Sequence, residues 1–209
     1  QYCQGYHPSI AVNAVGVVVS VHEASQPLNN SLYYQVGKVD GTVIHWGCVD
    51  HYDSGQKPQV ALNDHGVVVE VHQSSDSDGL YYRVGQVYGK LISWGACHQY
   101  GSGVTPCISI TNTGLIIECH KSPSTDQLFY RVGQVDGSII YWGSVHSYQQ
   151  GVNPGIGIIK GGTLVAVYES QAAAGLWRVS GEIKGSVIQW GEHMKEQRCF
   201  EVKMSLPLA

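Results

Sequence analysis

Pro58-Gln59-Val60-Ala61-Leu62-Asn63, the turn Asp64-His65-Gly66, Val67-Val68-Val69-Glu70-Val71-His72, then Leu80-Tyr81-Tyr82-Arg83-Val84-Gly85 and Leu91-Ile92-Ser93-Trp94-Gly95 form one unit of a chain built from four. Trp-Gly pairs begin at Trp46, Trp94, Trp142 and Trp190, and Leu32, Leu80, Leu128 and Leu176 open another segment; both series step by 48 residues. Prolines at Pro8, Pro58, Pro106 and Pro154 keep the same step, apart from two extra residues in the loop 23–31 of the first unit. Within a unit, short β-branched and aromatic runs alternate with turn residues, which predicts four antiparallel strands. Four such strands in about 48 residues are one blade of a β-propeller. The predicted fold is therefore all-β: a four-bladed β-propeller, each blade a four-stranded antiparallel sheet. It forms a single domain over 1–209, with blades at about 6–48, 56–96, 104–144 and 152–192 and a C-terminal extension at 193–209.

Turn chemistry sets a register. Tyr88-Gly89, matched by Asp40-Gly41 and Asp136-Gly137, is read as a two-residue hairpin turn, which places Arg83 across from Trp94. The loop 73–79 pairs Glu70 with Arg83 and His72 with Tyr81. The same row reads Glu118, Arg131, Trp142 in the third unit, Ser20, Gln35, Trp46 in the first and Ala166, Val179, Trp190 in the fourth. Acid and arginine occur together or not at all, which predicts an ion pair within the blade.

A Tyr-x-x-Gly-x-x-Pro linker follows the first three Trp-Gly pairs, at Tyr52, Tyr100 and Tyr148. Its fourth copy, Tyr2-Gly5-Pro8, lies at the other end of the chain, where it can fill the seam after Trp190 and close a ring of four. Cys3 and Cys199 are positioned to staple that ring. Cys107 and Cys119 fall opposite each other in the first hairpin of the third blade, as a disulfide or as buried thiols. Cys48 and Cys97 carry no pairing prediction. Asn29-Asn30-Ser31 is an N-glycosylation sequon, which with six cysteines fits a mature, secreted chain. The tail from Glu192 leaves the repeat, and Cys199 to Leu206 alternates enough to be a further strand, placed to cap a blade edge or to mediate a homodimer.

The net charge of −4 and a charged fraction of 13% offer no basic surface for nucleic acid, and no apolar run reaches the roughly 18 residues of a membrane helix, so neither nucleic-acid binding nor membrane insertion is expected. No nucleophile elbow, His-Glu-x-x-His motif or phosphate loop is present, and the repeated acids have arginines opposite them, so the chain is not read as an enzyme. No cofactor is called for.

The string from Pro58 to Gly95 resembles the repeats of β-propeller lectins from bacteria and invertebrates, a resemblance that covers the chain to Gly191. It implies glycans or glycoconjugates as partners. Aromatic side chains can cover the apolar face of a sugar ring while polar groups satisfy its hydroxyls, and 13 tyrosines and 5 tryptophans outnumber 2 phenylalanines. Candidate ligand-binding residues are Trp46, Trp94, Trp142 and Trp190, the linker tyrosines Tyr2, Tyr52, Tyr100 and Tyr148, and the histidines His22, His72 and His120, each weighed against a packing role. The three histidines lie on second strands spread about an axis, so they are not read as one metal centre. The expected function is a lectin with several similar sites acting through multivalency. Two alternatives remain open: a protein-binding scaffold, inhibitor or toxin-targeting module that uses the polar loops, and a carrier of haem or metal. Four blades tied by a terminal disulfide would resemble haemopexin-like domains in architecture.

Overall fold

The computed structural model describes residues 5–24, 30–159 and 162–196. Tyr2, Cys3, Cys199 and Asn29 lie outside them, as does most of the tail. Blade one comprises β1 (Gly5–Val12), β2 (Val17–Ala24), β3 (Ser31–Asp40) and β4 (Val43–Ser54), hydrogen-bonded in that order. Blade two contains β5 (Gln56–Leu62), β6 (Val67–Gln73), β7 (Gly79–Tyr88) and β8 (Leu91–Trp94), with β9 (His98–Ser102) beside the first half of β7. Blade three repeats this with β10 (Val104–Ile110), β11 (Leu115–Lys121), β12 (Gln127–Asp136), β13 (Ile139–Trp142) and β14 (His146–Gln150). Blade four follows with β15 (Val152–Ile158), β16 (Thr163–Ser170), β17 (Gly175–Lys184), β18 (Val187–Trp190) and β19 (Met194–Lys195). All pairings are antiparallel, and the protein is an all-β, four-bladed propeller. The Trp-Gly pair ends the outermost strand's first half, and the linker supplies its second half before entering the next blade.

The register predicted between second and third strands is present, with Glu70 opposite Arg83, His72 opposite Tyr81 and Glu118 opposite Arg131. The outer hairpin differs by two residues. Tyr88 pairs with Leu91, so the turn is Gly89-Lys90, and Trp94 faces Gly85 instead of Arg83. Gly41, Gly89 and Gly137 each open their turn at φ near +60°, which puts the positive-φ residue first, and the preceding residue is still strand.

Neighbouring blades meet through a repeated apolar joint. At the first, Val19, Val21, Tyr34 and Val36 of blade one pack on Val60, Leu62, Val68 and Ile92 of blade two. The buried tyrosine hydroxyl at each joint accepts a backbone N–H from the next blade: Ile92 to Tyr34 at 3.3 Å, Ile140 to Tyr82 at 3.1 Å and Ile188 to Tyr130 at 3.0 Å. The fourth blade carries Arg178 and Ser180 where the others have this tyrosine and the valine two residues on. Val165 and Val167, counterparts of the fully buried Val69 and Val71, are 44% and 37% exposed, and across the seam Ile10 and Val12 are 62% and 63% exposed. The seam between blades four and one is therefore not packed, among the described residues, as the other three are. The expected staple between Cys3 and Cys199 lies outside those residues.

The glycine of Trp-Gly is a contact residue. A Cβ on Gly95 would stand 2.7 Å from the Ser138 Cβ in the next blade's outer turn and 3.0 Å from the Val84 carbonyl oxygen. Gly95→Val is expected to prise that turn away and to cost about 1–3 kcal/mol. A urea midpoint unchanged from wild type would show that the turn yields freely.

Candidate functional site

The repeated aromatic residues pack at the blade joints. Trp94 stacks on Tyr52 with ring centroids 5.1 Å apart, Trp142 on Tyr100 at 5.2 Å and Trp190 on Tyr148 at 5.0 Å, each pair crossing from one blade's linker to the next blade's outer strand. The indole N–H groups of Trp94, Trp142 and Trp190 are buried without a hydrogen-bond partner. Trp46 occupies the same repeat position in blade one and is partly exposed.

The histidines are seated under the linkers. A Cβ on Gly5, Gly55 or Gly103 would come within 2.4–2.5 Å of the ring Cδ2 of His22, His72 or His120, which explains why the linker has glycine there. Each ring stacks on the aromatic residue opposite it in the sheet, His22 on Tyr33, His72 on Tyr81 and His120 on Phe129. His72 and His120 are buried, and their Nδ1 atoms lie 3.0 Å from the carboxylates of Glu70 and Glu118. Burial alone would lower the His72 pKa, but the Glu70 charge, with Cys97 and Asp53, raises it to about 10.

The acid and arginine do not pair within the blade. Glu70 and Glu118 engage the histidines, and the Tyr100 hydroxyl donates to Glu118 at 3.0 Å. Arg83 instead reaches Asp53 in the preceding blade's linker, its Nε 2.5 Å from Oδ2, and donates from Nη1 to the Gly95 carbonyl. Arg131, where the linker has Gly101, donates to the Tyr100 carbonyl and lies over the rings of Tyr100 and Trp142. Cys107 and Cys119 are directly opposed as buried free thiols, the second of the two states the sequence left open, and no disulfide occurs among the described residues.

What reaches solvent is the ground around each Trp-Gly pair. A recess of about 410 Å³ lies between blades two and three, lined by Gln86, Tyr88, Ser93, Trp94 and the turn Gly137-Ser138, a volume suited to a small ligand. The repeat places Lys38, His45 and Trp46 against Gly89-Lys90 at the preceding boundary, where the Lys90 ammonium donates to the Trp46 carbonyl at 3.1 Å. At the following boundary it places Gln134, Tyr141 and Trp142 against Gly185-Ser186. Tyr88 and Tyr141 are strongly exposed. Neither was a sequence candidate, although the alternation of the outer strand places the residue before each tryptophan on the opposite face. A larger cavity of about 860 Å³ lies between blades three and four, where Ile110, Leu115, Ile158 and Ile183 share the lining with the polar turn Thr111-Asn112-Thr113 and Asp64.

No protein-family profile and no curated protein sequence matches the chain. Solved structures do. A Lactobacillus plantarum protein superposes with a TM-score of 0.64 at 13% identity, over 96% of this chain and 59% of its own. The Aleuria aurantia fungal lectin, a six-bladed β-propeller with a fucose recognition mode, superposes with a TM-score of 0.59 at 15% identity, over 91% of this chain and 62% of its own. The Hadza microbial sialidase Hz136 gives 0.53 at 8% identity, over 91% of this chain and 46% of its own. The chain thus spans less than two thirds of the length of each. These likenesses are to β-propeller structures that include a lectin and a glycosidase, and at such identities they show the fold alone.

Proposed function

We propose that this protein is a secreted carbohydrate-binding lectin with several similar sites, acting through multivalent glycan recognition. The observation that carries the reading is the recess between one blade's Trp-Gly pair and the next blade's turn, which combines aromatic surface with amide and hydroxyl groups and recurs by repeat at other boundaries. Tyr88 and Tyr141 offer apolar faces to a sugar ring, while Gln86, Ser93 and Gln134 offer hydrogen bonds to its rim. The rim differs from blade to blade, so the sites are related without being identical, and their combined occupancy gives avidity beyond any single site. Binding without catalysis is supported by Glu70 and Glu118, which are buried against histidines and so are withheld from a glycosidic bond.

A glycan array probed with folded protein is expected to reveal one coherent group of glycans, competed by the free monosaccharide. Tyr88→Ala and Tyr141→Ala should each lower apparent avidity roughly tenfold by weakening one of several sites, with the far-ultraviolet circular dichroism unchanged. A blank array would remove the lectin reading for the glycans displayed. Binding that survives both substitutions would move the site away from these recesses.

A further inference from the structure

Asp53, His72 and Cys97 meet where the first linker crosses blade two. We propose that they form a binding site for one zinc ion, distinct from the recesses around the Trp-Gly pairs. One carboxylate oxygen, one imidazole nitrogen and the thiol sulfur all lie within 4.8 Å of one another. A tetrahedral ion bonded at about 2.3 Å to sulfur and 2.0–2.2 Å to nitrogen and oxygen holds its ligands roughly 3.4–3.6 Å apart, so side-chain movements of about 1 Å close the site. A thiolate with imidazole favours zinc over magnesium or calcium, and a water would take the fourth tetrahedral position.

The surroundings suit that ion. Glu70 accepts from the His72 Nδ1–H at 3.0 Å, fixing the ring and leaving Nε2 as the ligand atom, the carboxylate–histidine–metal arrangement of zinc proteins. Arg83 and the Ser54 N–H each occupy one lone pair on the Asp53 oxygens, which anchors the carboxylate and leaves others available to a metal. Once zinc displaces the Nε2 proton of His72 and the Cys97 proton, the thiolate, Asp53 and Glu70 set against Arg83 leave two negative charges, which a divalent cation neutralises.

The repeat argues that the fold does not require this set. Cys97 is replaced by Val49, Val145 and His193 at its equivalent positions, and Asp53 by Gly101 and Gln149. The three groups coincide at this junction without being imposed by its packing. One histidine joined by a linker carboxylate and a thiol thus does what three histidines spread about the axis cannot.

The test uses the full, reduced chain stripped by a chelator and titrated with zinc against a chromophoric competitor, and separately with cobalt(II). One equivalent of zinc should bind, and the cobalt form should show a thiolate-to-metal charge-transfer band in the near ultraviolet. Cys97→Ser, at a half-buried position, should weaken zinc binding about 100-fold or more and abolish that band, and Asp53→Asn should weaken it about tenfold, whereas Cys48→Ser should change neither readout. Absence of a tight equivalent in the wild type, a cobalt spectrum without thiolate character, or zinc binding retained by Cys97→Ser would each overturn the site. The wild-type cobalt spectrum decides even if a substitution perturbs folding.

Discussion

Glu118→Ala is expected to destabilise the protein by about 3–5 kcal/mol, a large share of the total for a chain this size. The carboxylate is fully buried and serves two partners, the His120 Nδ1 at 3.0 Å and the Tyr100 hydroxyl at 3.0 Å. Its removal takes the acceptor from a buried imidazole and a buried phenol, and each orphaned group bears its desolvation cost. Tyr100→Phe removes only one donor and should cost about 1–1.5 kcal/mol, so the pair separates the two contributions. Urea unfolding of both variants is the measurement. A loss below about 1 kcal/mol for Glu118→Ala would mean that water or a side-chain movement replaces the acceptor, and that this joint does not depend on its charge.

Stability of the metal-free protein should fall as the pH rises above neutrality. His72 holds its proton with a folded pKa of about 10 against 6.5 when unfolded, so its contribution is complete below about pH 6.5, declines between 6.5 and 10, and is gone above 10. The shift corresponds to a loss on the order of 5 kcal/mol across that window. Burial, reinforced by Glu70 at Tyr52 and by Glu118 at Tyr100, raises both phenols well above their ordinary value. Burial together with Cys119 and Cys107 does the same at Tyr148. These tyrosines ionise more readily once unfolded, so they extend the decline beyond pH 10. Asp53 works at the other end. Burial opposes its ionisation, but Arg83, the Ser54 N–H and Cys97 hold its carboxyl below the usual value, so its contribution is lost only as the pH drops through that lowered range. Chemical denaturation from pH 2 to 11 in the presence of a chelator tests the profile. A flat curve between 6.5 and 10, or the same slope in His72→Gln, would separate the decline from this imidazole.

The period made most of the architecture legible, because Trp-Gly, the linker and the leucine series repeat once per blade and each repeat has to bury the same face. The pairing of Glu70 with Arg83 was equally legible, since a hydrophobic face makes a one-residue slip costly. The outer turn was misread because Asp-Gly pairs suggest a turn with both residues at its centre, whereas the chain puts glycine first. Opposition in a sheet also failed to identify the ionic partner. Arg83 is long enough to cross the joint to Asp53, and contacts between blades are not encoded in the register within one. The joint tyrosines Tyr34, Tyr82 and Tyr130 carried a readable signal in their period and in its break at Arg178, but a tyrosine beside another aromatic residue gives no sign of which one faces inward. Tyr88 and Tyr141 escaped for the opposite reason, since neither recurs in its sister blades.

Arg178 and Ser180 bear on how copies of the protein can meet. A body with an apolar receiving edge at one end and its matching face at the other can add copies head to tail without limit. Blade one presents such an edge in Ile10 and Val12. At the far end the guanidinium of Arg178, held 3.0 Å from Glu196, and the hydroxyl of Ser180 occupy the places of the tyrosine and valine that grip the next blade elsewhere. An incoming edge would have to strip water from a charge to dock there. An edge docking on this face of blade four would therefore meet a charge and a hydroxyl where the other joints offer a phenol and an isopropyl group.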